Sequence, residues 1–111
     1  MNKKTIFISF MLMISLVSAN SLTIEFPKGE EFSAGEPITF KATIYDDSQK
    51  PIDGQINIVI EDSQKSTTTA IVKSKEVNSI NLVDASSGQG LIKADYEGTQ
   101  TVAFFEIGRQ E

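Results

Sequence analysis

The sequence contains no cysteine, no histidine and no tryptophan among its 111 residues. Without cysteine the chain cannot form a disulfide, a thiol nucleophile or an iron–sulfur cluster, and without cysteine and histidine it lacks the usual zinc ligands. The absence of histidine also excludes a Ser-His-Asp triad and an imidazole general base. We therefore expect no cofactor and no enzymatic activity.

Basic residues are also scarce, because 10 Lys and Arg residues stand against 15 Asp and Glu residues. An acidic chain without a basic cluster is a poor binder of nucleic acid, so we expect no nucleic-acid partner. A chain of this length has room for one domain.

The first 19 residues have the pattern of a secretory signal peptide. Lys3 and Lys4 give a positive start, the stretch 5–17 is apolar, and Val17 and Ala19 carry modest or small side chains before a cut after Ala19. The alternative is an uncleaved membrane anchor, but the apolar run of about 13–15 residues is shorter than the roughly 20 that span a bilayer. The sequence thus predicts an N-terminal signal helix (1–19), a protein that is secreted or held at the cell surface, and membrane contact only through an uncleaved signal segment.

The rest of the chain, residues 20–111, alternates apolar and polar residues with the period of two that is typical of strands. Turn residues recur roughly every 8–12 positions, which is the spacing of an antiparallel β-sandwich, and no helical period is present. We predict one all-β domain of about seven strands, at 21–26, 37–45, 55–61, 67–74, 77–83, 91–96 and 100–107.

The phase of this alternation divides core from surface. Phe40, Ile58 and Ile92 lie on the inward phase of their strands, and Tyr96 shares the phase of Ile92. Thr39 lies on the opposite phase, so its side chain is expected at a plain surface.

Two segments carry a recognisable set of residues, which are Gly35, Glu36, Pro37, Lys50, Pro51, Asp53 and Gly54 in the first segment, and Gly90, Ile92, Ala94, Tyr96 and Gly98 in the second. With these residues the segments resemble the immunoglobulin-like (Ig-like) domains of the α-macroglobulin family and of prokaryotic surface proteins. The resemblance implies an Ig-like β-sandwich in which Tyr96 has a structural role, tethering a corner of the fold. The alternative is that Tyr96 contacts a ligand at the surface. It implies no catalytic residue, since the thioester of the larger macroglobulins needs a cysteine.

The pair Phe104-Phe105 interrupts the alternation in the last predicted strand. If Ala103, Phe105 and Ile107 face inward, Val102 and Phe104 form an apolar patch on the outside. This patch is a candidate contact for a protein partner or an adjoining domain. The alternative is that a loop of the chain itself covers it, for example through Phe32.

Two groups of acidic residues have both a functional and a structural interpretation. Asp46, Asp47 and Asp53 flank one loop and could bind calcium weakly, although their spacing fits no EF-hand and ordinary turn chemistry explains them. The glutamates near the start of the domain, at positions 30, 31 and 36, could act as a carboxylate pair, but they are also typical of a solvated loop.

These features favour a secreted or cell-surface Ig-like module with a non-catalytic structural or protein-binding role. Such a module could be the N-terminal one of a longer surface protein. The alternative is a free-standing secreted inhibitor or carbohydrate-binding domain.

Overall fold

A computed structural model describes residues 20–108 as an all-β structure with two sheets, an arrangement compatible with the predicted β-sandwich. The first sheet consists of β1 (Ser21–Glu25), β3 (Ile38–Tyr45), β4 (Pro51–Ile52) and β7 (Val77–Ile80). The second sheet contains, in spatial order, β2 (Glu31–Phe32), β9 (Thr99–Ile107), β8 (Gly88–Tyr96), β5 (Gln55–Glu61) and β6 (Thr67–Lys73).

The predicted signal segment 1–19 lies outside the described residues. No helix within residues 20–108 is long and apolar enough to cross a membrane.

The first sheet is built around β3. β1 pairs along one side of it, while β7 and β4 pair with the two ends of its other side. In the second sheet the pairs are antiparallel except for β2, which runs parallel to β9. The inward side chains of both sheets form one hydrophobic core, whose fully buried members include Phe40, Ile44, Ile58 and Ile92.

The strands differ from the predicted ones by more than a single residue in four places. β2 and β4 are additional strands of two residues each, too short to give a periodic signal. β7 ends at Ile80 instead of continuing to residue 83. The predicted loop at 84–90 is shorter, because β8 already begins at Gly88 and pairs there with Ile107.

Gly90 explains why a glycine-rich stretch is part of a strand. It lies directly opposite Phe105, and a Cβ at this position would come within 2.6 Å of both the Phe105 ring and the carbonyl oxygen of Glu61. The missing side chain therefore leaves the space that the Phe105 ring fills.

That ring belongs to an aromatic cluster at one end of the core. Phe26, Phe32 and Phe105 meet edge to face, with ring centroids 6.0–6.5 Å apart. Two backbone hydrogen bonds, from Glu106 N to Glu30 O and from Gly108 N to Phe32 O, hold the segment around β2 against β9. The cluster thus joins the first and last parts of the described chain.

The prediction that Thr39 lies at a plain surface is wrong. Thr39 is 5% exposed, and its hydroxyl shares a 2.9 Å hydrogen bond with the hydroxyl of Ser79 on β7. Thr43, on the same face of β3, is also buried. β3 is a central strand with neighbours on both sides, and these neighbours cover the short side chains of its outer face, while Lys41 and Tyr45 on that face are only partly buried.

Candidate interaction surface

The outer face of the second sheet carries apolar side chains on four neighbouring strands. Because side chains alternate, the residues next to the buried core positions point away from the first sheet. The strand register places Phe104 opposite Leu91, and places Val102 and Val59 on either side of Lys93. We call the following five residues the apolar strip: Val59, Ile71, Leu91, Val102 and Phe104.

The strip crosses the sheet diagonally from β9 to β6. Its two ends are open to solvent, with Phe104 53% exposed, Val102 47% and Ile71 66%. Leu91 and Val59, which lie between them on the central strands, are half-buried. Large apolar side chains grouped in this way on a monomer are typical of an interaction surface.

Phe104 and Phe105 have opposite environments although they are adjacent in the chain. Phe105 is 2% exposed and packs on Phe32 at a centroid distance of 6.0 Å. Phe32 therefore covers the inner ring and not the outer one. The alternative in which Phe32 shields the patch of Val102 and Phe104 is not what the structure shows.

The surface along the strip is a row of separate depressions and not one deep cleft. A depression of about 170 Å³ lies beside Phe104, one of about 330 Å³ lies between Val59 and Val102, and one of about 590 Å³ lies beside Ile71. Small-molecule sites normally enclose most of their ligand in a single concavity. The geometry is better suited to the broad surface of a protein.

An ion pair lies within the strip. Lys93 Nζ and Glu61 Oε2 are 3.2 Å apart, on adjacent strands and beside Val59 and Leu91. The Glu61 side chain is largely covered, while about half of Lys93 is exposed. A partner that covers the strip would bury two opposite charges that already pair with each other. Burying such a pair costs less desolvation free energy than burying an isolated charge.

The residues predicted to have structural roles lie in or against the core. Phe40, Ile58 and Ile92 are at most 1% exposed. Tyr96 is partly buried, and its ring lies so close to Gly54 that a Cβ there would be 3.1 Å from the ring. The Tyr96 hydroxyl takes part in none of the hydrogen bonds within residues 20–108. Tyr96 therefore contacts the Gly54 region through its ring and not through its hydroxyl.

The acidic loop around position 50 uses its carboxylates locally. Asp46 Oδ1 accepts hydrogen bonds from the backbone N–H groups of Ser48 and Lys50. Asp53 pairs with Lys75 at 2.7 Å, and the hydrogen bond and the charge of Lys75 lower the pKa of Asp53. No group of three or more acidic side chains in the part of the chain that the structure describes is arranged to hold a metal ion.

The three early glutamates do not form one cluster. Glu36 Oε1 accepts a hydrogen bond from the backbone N–H of Ser33, which closes a turn. Glu30 and Glu31 are exposed and line the depression next to Phe104. The structure does not bring the three together as a carboxylate pair in a cleft.

Asp62 is the one buried carboxylate among residues 20–108. Its oxygens accept hydrogen bonds from the backbone N–H groups of Gln64, Ser66 and Ser86. Burial raises the pKa of Asp62, but these hydrogen bonds together outweigh it, so the pKa is lowered. Asp62 thereby fixes the β5–β6 turn and ties it to the loop before β8.

Three members of the strip, Val59, Ile71 and Leu91, were not predicted from the sequence. Each is adjacent to a core residue, at Ile58-Val59-Ile60, Ile71-Val72 and Leu91-Ile92. An apolar pair in a strand must place one side chain on each face. Such pairs in four strands of one sheet are the signal that would have indicated the whole strip.

Comparison of the chain with protein-family models and with curated proteins gave no match.

Proposed function

We propose that this protein is a secreted or cell-surface Ig-like module that binds another protein through the apolar strip and catalyses no reaction. The observation that carries the proposal is the strip itself, an open apolar surface on four strands of the second sheet.

The strand order supports the Ig-like part of the proposal. In Ig-like sandwiches the first, second and fifth main strands share one sheet, and the third, sixth and seventh share the other. β1, β3 and β7 lie together here, as do β5, β8 and β9, while the fourth main strand, β6, lies beside β5 and not in the first sheet as in the constant-type pattern. The sequence resemblance at 35–62 and 90–98 points the same way.

The composition supports a binding role over catalysis. The chain has no histidine or cysteine, and the carboxylates near its loops are exposed or engaged in turns. A carbohydrate-binding platform normally needs several exposed aromatic rings. Among the aromatic side chains of residues 20–108, Phe104 is exposed while both tyrosines are at least partly covered.

Site-specific photocrosslinking tests the binding surface. A photoreactive amino acid is placed at Val102, and for comparison at Thr23, which is exposed on the outer face of the first sheet. In the native host we expect a discrete crosslinked product from position 102 and none from position 23, and Phe104→Ser should weaken the product at 102. Equal crosslinking from the two positions would contradict the proposal.

Export is tested separately by the mature N-terminus. The proposed signal peptide predicts secreted protein that begins at Asn20, as measured by intact mass or N-terminal sequencing. Recovery in the membrane fraction with residues 1–19 retained would instead support the anchor alternative.

A further inference from the structure

The second sheet ends in a free edge at β6. β6 pairs with β5 along all seven of its residues, and no strand within residues 20–108 pairs with its other side. Backbone hydrogen bonds at the two ends of this hairpin join Asp62 N to Ser66 O and Ser74 N to Gly54 O. Even-numbered residues therefore bond toward β5.

Because backbone groups alternate in an antiparallel ladder, the odd-numbered residues of β6 point their N–H and C=O groups to the free edge. These residues are Thr67, Thr69, Ile71 and Lys73. The Lys73 carbonyl accepts a 3.4 Å hydrogen bond from Glu76 N in the next turn, whereas the groups of the other three residues have no backbone partner within residues 20–108 and present a template for another strand.

Apart from Lys73 at its end, this edge lacks the features that usually prevent strand pairing. β6 contains no proline, its register with β5 advances without a bulge, and its inward residues Thr68, Ala70 and Val72 are uncharged. The opposite edge of the sheet is different, because the two-residue β2 covers the end of β9 and contributes Glu31. An edge strand of seven residues made largely of threonine and aliphatic side chains is well suited to pairing.

We propose that β6 pairs antiparallel with β6 of a second copy of this chain, about a two-fold axis at Ala70. An axis there pairs all seven residues and sets odd-numbered positions against odd-numbered ones, so every free backbone group of both edges finds a partner. The opposed pairs are Thr67 with Lys73, Thr68 with Val72 and Thr69 with Ile71. The smallest side chain of the strand, Ala70, meets itself.

The charges are complementary in this arrangement. β6 carries one charge, Lys73, which lies opposite the neutral Thr67 of the second copy. Beyond Thr67, in the direction across the strands, lies Glu61 of the same second copy, since Thr67 pairs with Glu61. Two strand spacings, about 10 Å, separate the backbones of Lys73 and Glu61. Lys73 would therefore bring a second positive charge near the Glu61 carboxylate, which already pairs with Lys93. β6 has no acidic residue, so it brings no like charges together in a chain whose net charge is −5.

The pairing would make one continuous sheet of ten strands. It would set Ile71 in the same row as Val59 of the second copy, so the two apolar strips become continuous. It occupies the edge and leaves the outer face open, so it goes beyond the proposed function and does not depend on it.

Cysteine substitution gives the sharpest test, because the chain has no cysteine of its own. At the axis the two Ala70 positions form a non-hydrogen-bonded pair about 4.5 Å apart between Cα atoms, a distance that a disulfide can bridge. Under mild oxidation the purified Ala70→Cys variant should form a covalent dimer. The matched control is Thr68→Cys, on the same face of the same strand. Its two sites would be about 13 Å apart along the strand, so it should stay monomeric.

Charge variants provide a second test that does not depend on oxidation. Thr69→Lys with Ile71→Lys opposes like charges, while Thr69→Glu with Ile71→Lys opposes unlike charges at the same exposed sites. In sedimentation the first should dimerise at least about tenfold more weakly than the second, a difference of about 1.4 kcal/mol. Both double variants lose Ile71, so a partner on the outer face cannot explain the difference.

Three outcomes of these two tests would overturn the inference. They are no disulfide in Ala70→Cys, equal disulfide formation in Ala70→Cys and Thr68→Cys, or equal association of the two charge variants. Adding Phe104→Ser should leave the Ala70→Cys dimer intact. Its loss would place the self-association on the outer face instead of the edge, and would leave the photocrosslinking test of the proposed function unaffected.

Discussion

The outer faces of the two sheets reverse the usual relation between polarity and burial. On the first sheet, Thr39 and Thr43 are polar and point away from the core, yet they are 5% and 2% exposed. On the second sheet, Phe104 and Val102 are apolar and about half exposed. The comparison shows that strand neighbours, and not side-chain polarity, decide which outward residues are covered.

The reason is visible in the strand order. β3 has strands along both sides, and small residues such as Ser79 pair directly with its threonines. β9 is bordered over most of its length on one side only, because β2 reaches only Glu106 and Ile107. Side chains near an open edge stay accessible even when they are large.

The largest effect should separate the two adjacent phenylalanines. Phe105→Ser removes a buried ring from the aromatic cluster. It should lower the free energy of unfolding at least as much as a core Phe→Ala change does, by about 3–5 kcal/mol, which is most of the stability of a small domain. Phe104→Ser should change stability by less than about 1 kcal/mol. Thermal and urea unfolding of the two variants measures the difference. Similar losses in both would show that Phe104 belongs to the core.

Removing the Asp62 carboxylate should have the next largest effect, because it would release the turn that positions β6 in the second sheet. Asp62→Ala leaves three backbone N–H groups without their charged acceptor and should cost about 2–3 kcal/mol. Urea unfolding near neutral pH measures it. Lys65→Ala, in the same turn but exposed, is the matched control and should be nearly silent.

The same carboxylate gives a pH dependence with a definite sign. The pKa of Asp62 is lower in the folded protein than its ordinary value of 3.8, so its stabilising contribution is present above that value and is lost as the pH falls through the lowered pKa. Asp62→Ala should therefore lose less stability than the parent protein on acidification. An equal loss in both proteins would contradict this role.

A smaller effect is expected at the covered face of the first sheet. Thr39→Val keeps the shape of the side chain but removes the hydrogen bond to Ser79, and should cost about 1 kcal/mol. The exposed Ser79 hydroxyl can then bind water, which limits the loss. A cost near zero in urea unfolding would indicate that burial at this site does not depend on the hydroxyl pair.

The smallest effect should have the opposite sign. Thr43 Oγ1 is buried and has no hydrogen-bond partner among residues 20–108. Thr43→Val replaces this hydroxyl with a methyl group of similar size and should raise the free energy of unfolding by about 0.5 kcal/mol. A loss of stability would mean that the hydroxyl is satisfied by water.

Alternation along the chain was sufficient to predict the all-β class and the main strands. It predicted these features because inward positions such as Phe40, Ile58 and Ile92 recur every second residue over long strands. It could not predict β2 and β4, because two residues give no period, and their pairing depends on distant strands.

The surface was predicted less completely for a related reason. The pair Phe104-Phe105 suggested an outward patch, but the extent of the strip depends on which strands are neighbours, and one sequence does not contain that information. The burial of Thr39 was likewise missed, since phase gives the face of a strand but not what covers that face. Gly90 shows the same limit, because its role depends on the Phe105 ring across the sheet.

The aromatic cluster has a consequence for the order of events during folding. Phe26 and Phe32 come from the start of the domain, while Phe105 lies on its last strand. This end of the core therefore cannot close until the chain has been synthesised beyond Phe105. Contacts between such distant positions are slow to form because the intervening chain must first be ordered. Phe26 and Phe32 should therefore remain without their final packing partner until β9 has been synthesised.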